Sequence, residues 1–119
     1  MSSPRWYNDR VKEQLRREIA WAIQNEVRDP RVPPMVTVSE IKLAADTRNA
    51  TVFVSIYDTP EKRKDALVAL NGAAPFIQNI VAQRVSIKHF PKLHFKLDES
   101  LDRREHINEL LDKIKDDLG

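Results

Sequence analysis

The chain has 119 residues, a formal net charge of +2 at pH 7 and no cysteine. That length supports one domain with one core, and the missing cysteine excludes a disulfide framework and a cysteine-ligated metal. No apolar run approaches a membrane span, and the N-terminus mixes acids with bases around no apolar signal core, so a cytoplasmic chain is expected.

Twenty Lys and Arg nearly balance 18 Asp and Glu. The placement of the cations, more than their sum, therefore indicates whether a polyanion is the partner. Residues 1–3 are expected to be loose. From Pro4 to Arg28 the spacing predicts a helix with Val11, Leu15, Ile19, Ala22, Ile23 and Val27 as its core stripe. At 100° per residue, Arg10, Arg17, Trp21 and Arg28 gather on a different face. Guanidiniums pair with phosphate and an indole stacks on a base, so this face reads either as a nucleic-acid footprint or as solvated surface with a half-buried Trp. Asp29 to Pro34 holds three prolines and stops the helix in a stiff connector from which Arg31 projects.

Met35 to Leu43 is β-branched and reads as a strand. Val36 and Val38 share one parity and Ile41 and Leu43 the other, which predicts a bulge near Ser39-Glu40. After a turn at Asp46 to Asn49, the next strand runs from Ala50 to Tyr57. Ala50, Val52, Val54 and Ile56 face the core, and Thr51, Phe53, Ser55 and Tyr57 face away. The short connection makes the two strands an antiparallel hairpin. Asp58-Thr59-Pro60-Glu61 is a helix start. Lys62, Arg63 and Lys64 follow in the first turn, where they oppose the helix dipole and an external anion would reward them.

Asp65 to Arg84 has a helical period interrupted by Gly72 and Pro75. Proline pushes Ala74 out of the helical region and suits the first turn of a new helix. Two short helices meeting at an elbow of Gly72, Ala73, Ala74 and Pro75 follow. Small residues there admit another backbone, and the amides opening the second helix suit a phosphate. An ordinary helix–turn–helix packed on a sheet is the plainer alternative. Val85 to Leu97 then reads as a strand that Pro91 confines to a sheet edge or breaks in two. Its odd residues, with His89, face inward. Its even residues, Lys88, Phe90, Lys92, His94 and Lys96, form a basic ladder that either meets RNA or guards an edge. A last helix over about residues 100–118 follows the cap Asp98-Glu99-Ser100.

No metal spacing, nucleophile elbow or phosphate-binding glycine loop occurs, so no catalytic site, metal or cofactor is expected. The order of elements predicts an α+β domain over residues 1–119, a three-stranded sheet with helices on one face. Two RNA-binding plans fit, KH and ferredoxin-like. A KH domain clamps a nucleotide backbone with a GxxG loop between two helices; the elbow stands in that place here.

Ordered segments of the chain resemble the ribosome-binding factor A family. They are Glu26-Val27-Arg28-Asp29-Pro30-Arg31, Val36-Thr37-Val38-Ser39, Ala50-Thr51-Val52-Phe53-Val54-Ser55, Ala73-Ala74-Pro75-Phe76-Ile77, Pro91-Lys92-Leu93-His94-Phe95 and Asp98-Glu99-Ser100. The resemblance implies a type II KH fold in which an Ala-x-Gly kink replaces GxxG. Pro75 stands where that family usually has Gly. It further implies a non-enzymatic, monomeric assembly factor that binds the small (30S) ribosomal subunit and its 16S rRNA during late maturation and pre-rRNA processing. Arg10, Arg17, Arg28, Arg31, Lys62, Arg63, Lys64, Arg84, Lys88, Lys92 and Lys96 are the expected phosphate contacts, with Trp21 and Phe90 as stacking groups. They are expected to form one continuous surface beside the elbow. The alternatives are an RNA-binding module of another ribonucleoprotein, a protein-interaction domain using Trp6, Trp21 or Phe53, and a nuclease.

Overall fold

The computed structural model describes residues 9–45, 48–87 and 89–99. Residues 1–8, Lys88 and the expected helix over 100–118 lie outside them. The elements are α1 (Asp9–Glu26), β1 (Val36–Leu43), β2 (Asn49–Ile56), α2 (Pro60–Gly72), α3 (Ala74–Arg84) and β3 (Lys92–Leu97). The sheet order is β1-β2-β3, with β2 central. β1 and β2 are an antiparallel hairpin, and β2 and β3 pair in parallel. A parallel pair needs a long crossover, and α2 and α3 supply it.

The expected bulge is present: the β1–β2 register shifts between Val38 and Glu40. One extra residue there returns Val38 and Ile41 to the same buried face. Ala50, Val52, Val54 and Ile56 of β2, and Leu93 and Phe95 of β3, lie buried beside them. Leu15, Ile19, Ala22 and Ile23 of α1, Ala66 and Leu70 of α2, and Ala74, Ile77 and Val81 of α3 complete one continuous core. The three helices among the described residues therefore cover one face of the sheet. The opposite parity, with Thr51 and Phe53 on β2 and Lys92, His94 and Lys96 on β3, makes the other face. Ser55 shares that parity and is nonetheless buried.

Pro91 breaks the last strand, which begins only at Lys92. Val85 is buried and Ile87 packs against the core as expected, but the alternation does not hold at His89 and Phe90, and two expectations fail there. His89 is exposed and not inward-facing. Phe90 is half-buried against the core and is not part of an outward ladder. The outer edge of β3 is closed by side chains. Asn71 Nδ2 donates to the Phe95 carbonyl at 3.1 Å, and the Phe95 amide donates to Asn71 Oδ1 at 2.8 Å. Gln78 Oε1 accepts from the Leu93 amide at 3.0 Å. These two residues flank the elbow, so the same bonds block an exposed strand edge and fix the elbow beside β3.

Candidate nucleic-acid interface

The elbow is built by two helices that nearly run on. The Ala73 amide donates to the carbonyls of Ala69 and Leu70, and the Ile77 amide to that of Ala73. Ala73 itself has φ −88° and ψ −1°, the bridge region between helix and turn. The break thus falls one residue before the place expected from the proline: Ala74 is already in α3 and buried, and Pro75 occupies its first turn. A first-turn proline loses no helical bond, so the chain turns at Ala73 and keeps Ala74 in the helix. The anion cradle is correspondingly smaller than expected. Pro75 has no amide, and those of Ala73 and Ile77 are already engaged.

Gly72 is exposed, and a Cβ built on it meets nothing within 4 Å. No internal contact demands a glycine there, so the space above it is open to another molecule. Pro75 is exposed beside it.

The cations of the helical side fall into three groups. The first lies where α1 meets α3. The Arg84 guanidinium sits 4.0 Å from the centre of the Trp21 ring and is ion-paired to Glu18. Trp21 keeps 36% of its surface exposed. The second group is along α1. Arg17 reaches Glu13 at 3.2 Å, and Arg16 is tied to the same carboxylate at 2.5 Å and to the Val38 carbonyl at 3.2 Å. The hydrogen bond from Arg16 holds the Glu13 carboxyl down to about 2. Arg10 is exposed on this helix. α1 ends at Glu26, so Arg28 is exposed beyond it and does not share its face.

The third group lies where the proline connector meets the start of α2. Arg31 and Lys62 line one cleft of about 300 Å³ with Pro30, Pro33, Asp58 and Asp65. Arg31 is chelated by Asp29, whose carboxylate takes its Nη2 at 2.7 Å, its Nε at 3.0 Å and its backbone amide at 2.9 Å. Those side-chain hydrogen bonds hold the Asp29 carboxyl down to about 2. Thr59 caps α2 by accepting from the Lys62 amide at 3.3 Å, as the sequence predicts. Lys62 and Lys64 are exposed and Arg63 is half-buried. Successive residues turn 100° about a helix, so the three bases point in different directions and do not form one patch.

Lys92 and Lys96 are exposed on the sheet face away from the helices. The continuous cationic surface expected from sequence is therefore divided between two sides of the molecule. Acids also neutralise Arg17, Arg31 and Arg84 in the free chain. Arg10, Arg28, Lys62, Lys64, Lys92 and Lys96 make no ion pair among the described residues. Lys42 and Phe53, both on the open sheet face, were not among the expected RNA contacts; their outward parity in β1 and β2 was the available signal. Among the described residues, no helix is long and apolar enough to cross a membrane.

The family model described as ribosome-binding factor A matches residues 7–111. Ribosome-binding factor A of Clostridium botulinum (strain Alaska E43 / Type E3) is 42% identical over 95% of this chain and 98% of its own. That of Thermomicrobium roseum is 46% identical over 94% of this chain and 86% of its own. The crystal structure of ribosome-binding factor A from Thermus thermophilus is similar with a TM-score of 0.67 at 30% identity, covering 76% of this chain and 94% of that one. A solution NMR structure of a Thermotoga maritima putative ribosome binding factor A gives 0.69 at 30% identity, over 84% of this chain and 94% of that one. A homology model of the Thermus thermophilus protein, fitted into the cryo-EM map of a 30S–RbfA complex, gives 0.63 at 29% identity over 78% of this chain and 97% of that one. The α+β, KH-like fold is the one these structures share. With its order of elements, its elbow in place of a GxxG loop and this match along nearly its whole length, the chain belongs to the ribosome-binding factor A family.

Proposed function

We propose that this chain is a monomeric, non-enzymatic assembly factor that binds the small ribosomal subunit and its 16S rRNA in the cytoplasm during late maturation and pre-rRNA processing. The observation that carries the reading is the likeness, over most of the chain, to a relative fitted into the map of a 30S complex. The geometry supports it in kind. Exposed Arg10, Arg28, Lys62 and Lys64 supply cations on the helical side, and the open space over Gly72 admits a backbone at the elbow. Lys92 and Lys96 supply cations on the other side. Arg17, Arg31 and Arg84 are held by acids at the surface, where such pairs are weak enough for a phosphate to exchange for the carboxylate. A protein of this kind changes RNA folding by binding one arrangement better than another, without bond chemistry.

Sedimentation of extract and salt-dependent binding test it together. The protein is expected on free small subunits and not on polysomes. Lys62→Ala with Lys64→Ala removes two phosphate contacts and lowers the log–log salt slope by about 1.4 on single strands or about 1.8 on duplex. Sedimentation with polysomes overturns the proposed function, and a slope identical to that of the unaltered chain overturns the reading of those two residues.

A further inference from the structure

We propose that the open sheet face around Phe53 is a second RNA-contact surface, which stacks one unpaired base and holds the neighbouring phosphates. It takes the RNA partner proposed above as given, and places a contact on the side of the sheet opposite the three described helices.

Phe53 lies on the central strand, opposite Glu40 on β1 and Lys96 on β3. Its ring remains partly exposed, and the Lys42 ammonium lies 5.5 Å from the ring centre. Lys42 and Lys96 therefore flank one aromatic from the two outer strands. Neither makes an ion pair among the described residues. An open depression of about 570 Å³ runs over these three side chains and takes in Glu40, Asp98 and Glu99. An aromatic on a central strand, between lysines, is the arrangement by which sheets hold unpaired bases.

The three acids shape which base edge fits. A carboxylate only accepts, so the edge turned toward it must donate, and the amino group of cytosine, adenine or guanine does so. Asp98 is fixed in place by the Ser39 hydroxyl, which donates to it at 2.7 Å. In the free chain Lys42 covers part of the ring. An exposed cation–π contact is weaker than stacking of a base on an aromatic ring, so a base displaces the ammonium toward its own phosphate. An apolar protein partner would have to strip water from five charged groups around one ring, which disfavours it.

The test uses the full chain, a short fluorescein-labelled oligocytidylate followed by anisotropy over a range of salt, and purified immature small subunits. Phe53→Leu keeps the apolar bulk and removes the stacking plane. It is expected to weaken oligonucleotide binding about tenfold without changing the salt slope. Lys42→Ala with Lys96→Ala, two exposed lysines whose loss leaves the core intact, is expected to lower the slope by about 1.4. Lys62→Ala with Lys64→Ala serves as the helical-side reference. If both sheet variants bind as the unaltered chain does while the reference variant weakens, the sheet face is not an RNA surface, and the proposed function stands. If the unaltered chain binds neither the oligonucleotide nor the subunits, both fail. Sheet variants that lose subunits but keep the oligonucleotide identify a ribosomal-protein contact and overturn the proposal.

Discussion

Asn71→Ala tests how the elbow is held. The Asn71 side chain makes two hydrogen bonds to the backbone of Phe95, at 3.1 and 2.8 Å. Phe95 is only 2% exposed, and its outward amide and carbonyl have no strand neighbour on that side among the described residues. At about 1 kcal/mol each, the two bonds contribute about 2 kcal/mol. Alanine returns roughly 0.5 kcal/mol through its higher helix propensity. The net loss is about 1.5 kcal/mol, which lowers the melting temperature by roughly 6–10 °C for a domain of this size. Circular dichroism melts measure the shift, and hydrogen exchange at the Phe95 amide locates it. Gln78→Ala, which frees only the Leu93 amide, is expected to cost about half as much. A melt within about 2 °C of the unaltered chain, with Phe95 exchange unchanged, would refute the claim that these bonds pin α2 to the sheet edge.

Gly72→Ala meets no internal obstacle and is expected to stabilise the fold by up to about 1 kcal/mol, read by urea unfolding, while weakening binding to small subunits. Destabilisation instead would show that the glycine has an internal role. Pro75→Gly frees the unfolded chain; a stability loss of about 1–2 kcal/mol in the same assay is expected. The Asp29 carboxyl, held by its bonds from Arg31, is expected to titrate near 2 by NMR. Its folded value lies below the ordinary 3.8, so its contribution to stability is present above that pH and is lost as pH falls through the folded value. Arg31→Ala should return the midpoint toward 3.8; a midpoint already there in the unaltered chain would remove the chelate.

Much of this architecture is written in local pattern. Parity alone placed Val38 and Ile41 on one face through a bulge, and Thr59-Pro60 announced its own helix, because the causes act within a few residues. The proline at 75 marked the elbow to within one residue for the same reason. What sequence could not supply were relations between distant segments. Glu18 and Arg84, Asn71 and Phe95, and Arg31 and Lys62 meet only after the helices pack on a sheet whose last strand runs parallel to its neighbour. The basic residues illustrate the division best. Their identities and exposure were legible one by one. Their separation onto two sides of the sheet, and the capture of Arg84 by Glu18, depended on chain reversals far away, whereas Arg17 and Arg31 find their acids within four residues.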